Sequence, residues 1–333
     1  MALSLSRISS HDPAGAEDFA ARGALCFEDV EILLPEALAR FGGAVRATAW
    51  GNRSGPVIVA LGGISSNRFV GRRADGGGGW WRGLVGPGCA IDPARHLIVG
   101  IDFAADPSGR AAPSTRDQAL VLAAALDRLG LARADAILGA SYGGMVALAL
   151  VEIAPERVGR LIVVSAGAVP HPAATAAREL QRRVVALGIE SGKAEEALAI
   201  ARGMAMMTYR TSDEFALRFA GGIDRDCPGT PSEPGAYLRA RGDAFAAVMT
   251  PQRYLSLSAS IDRHKVDPAA ITAPALLIGA ASDLLVPAVQ MRDLAARLGG
   301  PAVLHLRDCL YGHDMFLKEA EAVGAIAGPW LES

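Results

Sequence analysis

Three residues in this chain have types and settings that together could do covalent chemistry. Gly139-Ala140-Ser141-Tyr142-Gly143 is a G-x-S-x-G pattern lying between an apolar run and a helical one. In that setting a serine stands on a tight strand-to-helix turn, and the flanking glycines relieve crowding. Its hydroxyl then meets the start of a helix, where N–H groups and the helix dipole favour developing negative charge. A serine hydroxyl is a weak nucleophile at neutral pH and needs a base. Downstream, Asp283 follows the apolar run ALLIG, and His313 follows the run AVLHL within Tyr311-Gly312-His313-Asp314. His313 would take the serine proton; Asp283 would fix its tautomer and stabilise the imidazolium. The predicted chemistry is acyl transfer through an acyl-serine.

The chain order Ser141, Asp283, His313 is that of α/β-hydrolases. The remaining histidines fit the base less well. His11 and His96 precede the nucleophile, His171 and His264 lie at the borders of a helical insertion, and His305 lies inside the last strand, where a packed core or face residue is expected. An oxyanion hole needs two N–H donors. One is expected from Tyr142, the residue after the nucleophile. The second is expected from the loop Gly62-Gly63-Ile64-Ser65, at Ile64 or Gly63.

These residues need a frame. Short apolar runs at 56–62 (PVIVALG), 97–103 (LIVGIDF), 135–140 (DAILGA), 161–165 (LIVVS), 275–279 (ALLIG) and 302–306 (AVLHL) read as buried strands. Continuous apolar runs of this length suit a sheet covered on both faces. Residues 118–129 (QALVLAAALDRL) have helical spacing, with Gly130 as a C-cap. Strand–helix alternation implies parallel strands with crossovers. The alternation stops near residue 168 and resumes near 272. Helical segments are expected between at 173–187, 193–207, 212–220 and 234–247, with a Gly/Pro/Asp-rich break at 221–233. The predicted organisation is a core over 1–168 and 272–333, with a helical cap over 169–271. Such a cap would cover the carboxyl edge of the strands, where open α/β sheets bind ligands. The Gly run at 74–79 is no P-loop, because no Gly-Lys-Ser/Thr follows.

Composition agrees with a globular enzyme. The chain has 333 residues, 51% hydrophobic and 20% charged, so disorder is excluded. Lys plus Arg is 33 and Asp plus Glu is 35, a net charge of −2 that leaves no global basic field for nucleic acid. The mean hydropathy of +0.26 raises a membrane question. Residues 136–151 and 161–177 carry no Asp, Glu, Lys or Arg. A spanning helix needs about 20 predominantly apolar residues. The first stretch is shorter and broken by glycines, and the second contains Pro170 and Pro172, so buried strand–helix units are expected and no membrane partner. The N-terminus has no basic region leading into an apolar run, so no signal peptide is expected. Cys26, Cys89, Cys227 and Cys309 form no CxxC pair, which predicts free thiols in a reducing cytoplasm and no metal cluster.

Several segments together resemble the homoserine O-acyltransferase family of the α/β-hydrolase superfamily. They are residues 79–92 (GWWRGLVGPGCAID), the elbow GASYGGM, residues 201–210 (ARGMAMMTYR) with Glu214-Phe215 after them, residues 282–286 (SDLLV) and residues 312–317 (GHDMFL). The loop after Gly63 reads ISSNRFV, where many members carry an Asp-Ala-His stretch. The resemblance implies an α/β-hydrolase fold with a helical cap and transfer of an acyl group from coenzyme A to the hydroxyl of homoserine, a step of methionine biosynthesis. It implies Ser141, Asp283 and His313 as the triad. Asp314 would hold the substrate α-ammonium. An arginine of the cap segment would hold its α-carboxylate, Arg202 in preference to Arg210.

A succinyl group carries a distal carboxylate and an acetyl group does not. Arg178 stands where succinyl-transferring members resemble one another in carrying arginine, which favours succinyl-CoA over acetyl-CoA. Homoserine and serine differ by one methylene, a difference of about 1–3 kcal/mol in a pocket, so the acceptor stays open between them. A plain esterase remains the alternative outside transferase chemistry. No metal or bound cofactor is implied; acyl-CoA is a substrate. The resemblance and the cap methionines Met204, Met206 and Met207 suggest a homodimer through the cap.

Overall fold

The structure, a computed structural model, describes residues 25–220, 230 and 232–332. His11, Cys227, the N-terminal leader reading and most of the Gly/Pro/Asp-rich break lie outside the described residues. Among the described residues the apolar runs assemble into one eight-stranded sheet. In chain order its strands are β1 (Cys26–Leu33), β2 (Ala44–Gly51), β3 (Val57–Leu61), β4 (Leu97–Ile101), β5 (Ala134–Ala140), β6 (Val158–Val164), β7 (Ala275–Ala280) and β8 (Ala302–Arg307). Across the sheet the order is β1-β2-β4-β3-β5-β6-β7-β8. β2 pairs antiparallel with both β1 and β4, and β4 through β8 run parallel.

The inner strands are apolar on both faces because both faces are covered. Along β3, Val59 and Leu61 join one core with Val121 and Leu122 of α1 (Thr115–Arg128) and Val146 and Leu150 of α2 (Tyr142–Ile153). Ile58 and Ala60 join a second core with Trp81 and with Val323 and Ala327 of α10 (Ala320–Glu332). α1 begins at a capping box, Ser114 with Asp117, and is followed by Gly130 at φ +70°. The uncharged stretch 136–151 is therefore β5, the turn and most of α2. Among the described residues no helix is long and apolar enough to cross a membrane.

The sheet margins differ from the expected pattern of buried strands. β8, expected as a buried strand, is an edge strand with one face open: Val303 and His305 are exposed, which makes His305 the face residue of the two expected possibilities. β1 and β2, absent from the sequence reading, form the opposite margin. β1 mixes Glu28, Asp29 and Glu31 into its length, which an exposed edge tolerates and a buried-strand pattern does not reveal.

Among the described residues five α-helices run between β6 and β7: α3 (Pro172–Glu190), α4 (Ala194–Tyr209), α5 (Ser212–Arg218), α6 (Glu233–Ala246) and α7 (Pro251–Asp262). They have a small core of their own, including Val185, Leu198, Ala201, Phe245 and Tyr254. α7 has no counterpart among the expected segments. Its inner face is mixed: Tyr254, Leu257 and Ile261 pack into the cores, while Arg253 donates to the Phe103 carbonyl (2.9 Å), Ser256 Oγ accepts from the Asp106 N–H (2.9 Å), and Ser260 Oγ bonds the Tyr142 hydroxyl (2.5 Å). Ser256, Ser258 and Ser260 interrupt its apolar spacing, which leaves the periodic signal weak. The remaining helices α8 (Ala288–Arg297) and α9 (Met315–Lys318) follow β7 and β8. Cys26, Cys89 and Cys309 are free thiols.

Candidate active site

β5 ends at Ala140 and α2 begins at Tyr142, so Ser141 alone makes the turn, with φ 54° and ψ −121°. Few side chains tolerate that conformation. The glycines around it are sterically required. A Cβ on Gly139 would run into the Gly143 carbonyl, and one on Gly143 would strike the backbone of Leu61. Two backbone bonds brace the turn: Ser141 N–H to Val164 O (2.8 Å) and Gly143 N–H to Gly62 O (2.8 Å). The second ties the elbow to the loop after β3.

His313 Nε2 lies 2.8 Å from Ser141 Oγ, and its Nδ1 lies 2.8 Å from Asp283 Oδ2. The other oxygen of Asp283 accepts from the N–H groups of Leu285 (2.8 Å) and Val286 (3.0 Å). An aspartate carboxylate only accepts, so it is Nδ1 that carries the proton toward Asp283 and Nε2 that is left to accept. Burial disfavours the imidazolium of His313. The Asp283 charge and hydrogen bond, with the Asp314 charge behind them, outweigh burial and hold its pKa above the ordinary 6.5, while Arg178 pulls the other way. The sequence reading named these three residues, and the structure brings them into one hydrogen-bonded chain.

Tyr142 leads α2, so its N–H is among the donors a helix start leaves free. Its ring turns into the core, where burial pushes the phenol up to about 12. In the facing loop the Gly63 carbonyl accepts from both the N–H (2.9 Å) and the hydroxyl (2.7 Å) of Ser66. A trans peptide sends its N–H opposite to its carbonyl. The Ile64 N–H therefore points away from that turn. Gly63 and Ile64 both line a cavity with Ser141.

Two cavities meet at the Ser141–His313 pair and share Tyr209 and Ile261 as walls. The smaller, about 40 Å³, is bounded by α3 through Ala174, Arg178 and Gln181 and by Leu285 and Val286. The larger, about 190 Å³, is bounded by Gly63, Ile64, Trp80, Arg202, Asp314 and Leu317. Arg202 stacks over Tyr209 (5.1 Å) and Phe245 (4.9 Å), and among the described residues no carboxylate pairs with it. Arg178 is paired: its Nε (2.8 Å) and Nη2 (2.6 Å) both donate to Asp262 Oδ1.

Arg210 requires a correction. It lines neither cavity. It sits buried behind Asp314, with Nε 2.7 Å from Asp314 Oδ2 and Nη1 3.3 Å from Glu214 Oε1. Its charge is committed, so it cannot serve as a free carboxylate clamp. The sequence gives no role to Tyr209, which lies against His313 at 5.7 Å between ring centres, to Glu214, or to Asp262. Tyr209 adjoins Arg210 and Glu214 follows it within the segments that carry the family resemblance, the signal that points to both; Asp262 lies in none of them.

The α/β hydrolase fold family model matches residues 56–320. A homoserine O-succinyltransferase of Xanthomonas campestris pv. campestris is 39% identical over 278 residues, 83% of this chain and 75% of its own length. A homoserine O-acetyltransferase of Thermus thermophilus is 33% identical over 290 residues, 78% of this chain and 73% of its own. The crystal structure of homoserine O-acetyltransferase from Bacillus anthracis superimposes with a TM-score of 0.79 at 17% identity, covering 93% of this chain and 98% of that one, which shows a shared fold. The chain belongs to the homoserine O-acyltransferase family, within the α/β-hydrolase fold.

Proposed function

We propose that the protein is a homoserine O-succinyltransferase of methionine biosynthesis, working by ping-pong transfer through acyl-Ser141. Ser141 Oγ attacks the thioester carbonyl of succinyl-CoA while His313 Nε2 takes its proton. The tetrahedral oxyanion is held by the N–H groups of Tyr142 and Ile64. Collapse breaks the C–S bond, and His313 returns the proton to the departing CoA thiolate. The acceptor hydroxyl then gives its proton to His313 and attacks the acyl-serine. Collapse releases the O-acyl product, and Ser141 recovers its proton from His313. Asp283 stabilises the imidazolium in both halves.

Substrate recognition divides between the two cavities. In the larger, Arg202 takes the α-carboxylate and Asp314 the α-ammonium of homoserine. In the smaller, Arg178 faces the distal carboxylate of the succinyl group. The presence of Arg178 in the cavity beside Ser141 is the observation that carries succinyl over acetyl. Fixed ions on the acceptor side favour a transferase over an esterase, because a reaction ended by water needs no grip on an amino acid. The same reading includes a cytoplasmic homodimer formed through the cap, where Ile200 and Met207 of α4 are exposed although Met206 is buried.

The test is product analysis on purified protein with homoserine or serine and with succinyl-CoA or acetyl-CoA, side by side. O-succinylhomoserine is expected as the main product. Acetyl-CoA as the far better donor removes the succinyl assignment. Thioester loss that needs neither amino acid identifies a hydrolase.

A further inference from the structure

Arg178 poses a problem for the succinyl reading, because an arginine already paired to an aspartate has little charge to spare. The surroundings of that pair resolve it. On α3, Thr175, Arg178 and Arg182 recur at the spacing of one helix face and meet Ser258 and Asp262, one turn apart on α7. Asp262 Oδ1 accepts from Thr175 Oγ1 (3.0 Å) and from Nε and Nη2 of Arg178. Asp262 Oδ2 accepts from Arg182 Nη1 (2.6 Å), which also reaches the carbonyl and hydroxyl of Ser258 at 3.2 Å. One carboxylate is thus shared by two guanidinium groups, and the cluster keeps a surplus positive charge. The three side chains are only 12%, 20% and 13% exposed for Arg178, Arg182 and Asp262, so water does little to spread that charge.

The geometry also aims Arg178. Asp262 occupies the Nε–Nη2 edge of its guanidinium. Among the described residues Nη1 donates to no protein group, and Arg178 lines the cavity that holds Ser141. A guanidinium is a rigid planar fork, so fixing one edge fixes the direction of the other.

We propose that Asp262 and Arg182 are positioning residues for acyl-donor choice: Asp262 orients Arg178 toward the distal carboxylate of a dicarboxylic acyl-CoA, and Arg182 keeps the pair from being neutral. The inference rests on the succinyl reading above and deepens it. A merely structural strap between α3 and α7 would affect all acyl donors alike.

The experiment measures kcat/KM for succinyl-CoA and for acetyl-CoA at saturating homoserine in Asp262→Asn, Arg182→Gln and Arg178→Ala. Asp262→Asn is expected to lower the succinyl/acetyl preference about tenfold, the effect of one misaligned charge-assisted hydrogen bond, with acetyl-CoA use little changed. Arg182→Gln is expected to lower the preference in the same direction by roughly threefold, as befits a charge acting through another group. An equal loss on both donors in Asp262→Asn overturns the proposal. So does a gain on succinyl-CoA, which the added net charge alone would produce if orientation were irrelevant. Arg178→Ala separates this proposal from its premise. If it leaves the preference intact, the acyl assignment itself falls. If it abolishes the preference while Asp262→Asn does not change it, only the positioning role falls. Thermal melting of each variant identifies loss of fold, and Asp262→Glu, which keeps the carboxylate, is then expected to retain more of the preference than Asp262→Asn; equal loss in the two overturns the role.

Discussion

Two clusters of three ions flank the Ser141–His313 pair, and their compositions are opposite. Toward the small cavity, α3 and α7 bring together two cations and one anion, Arg178, Arg182 and Asp262. Toward the large cavity, the end of α4, α5 and the turn after β8 bring together two anions and one cation, Asp314, Glu214 and Arg210. Arg218 also reaches Glu214, at 3.5 Å, but it is 43% exposed and water screens it. Glu214 Oε2 is buried and, among the described residues, has no hydrogen-bond partner. Buried ions are costly unless paired. The acyl-side cluster keeps a positive surplus that suits a carboxylate, whereas on the acceptor side Asp314 is offered for an ammonium and Arg202, on the same cavity wall, is left for the other end of a zwitterion. An ion pair inside a site thus need not cancel a binding residue. It orients that residue, and a third ion sets the sign that remains.

The largest effect should come from removing the atom that both clusters serve. Ser141→Ala is expected to lower turnover by at least about 10⁴-fold with either acyl donor, as removal of a covalent nucleophile does elsewhere. Intact-mass measurement after mixing with succinyl-CoA should show no acyl adduct. An adduct that persists in this variant would take the nucleophile's role from Ser141 and the centre from the comparison.

A smaller and one-sided loss is expected from the acceptor cluster. Asp314→Asn keeps the shape but removes the charge, leaving Arg210 and Glu214 balanced against each other. Its kcat/KM for homoserine should fall roughly 10- to 100-fold, the range for a lost charge-assisted contact. The first half-reaction, read as a burst of CoA release without acceptor, should stay near the wild-type rate. If acylation fails as badly as the full reaction, Asp314 supports the fold around His313 and the division of labour between the two clusters is lost.

What the sequence revealed follows the same division. The triad was legible because each member adjoins its own strand end: Ser141 after β5, Asp283 after β7, His313 after β8. Local pattern and chain order suffice for that. The ion partners were not legible. Asp262 lies 84 residues from Arg178, on a helix whose apolar spacing is interrupted by serines, and a lone aspartate there reads as a surface charge. Arg202 and Arg210 share one quoted segment, yet one faces a cavity from within α4 and the other turns behind Asp314 beyond that helix's end. Helical periodicity cannot rank them, because the end of the helix decides which way Arg210 points. Likewise β8 looked like a buried strand because its apolar content fits one, and only the sheet order makes it an edge.

The smallest expected effect is also the most direct comparison of the two clusters, because His313 feels both. As the general base it must be neutral, so kcat/KM for the acyl donor should fall as pH drops through the pKa of the free enzyme's imidazole. Burial lowers that pKa, but Asp283 and then Asp314 raise it beyond 6.5, and Arg178 opposes them. The acid limb of the profile should therefore lie above pH 6.5. Asp314→Asn removes a charge that favours the imidazolium, so its limb should move to lower pH. Arg178→Ala removes a charge that disfavours it, so its limb should move to higher pH when measured with acetyl-CoA, which does not need that arginine. Both profiles come from the same donor titration across pH. Shifts of opposite sign mean that the two clusters act on one base from opposite sides. Shifts of the same sign would mean that His313 is governed by the hydration of its cavity, and that the clusters recognise substrate without tuning the chemistry between them.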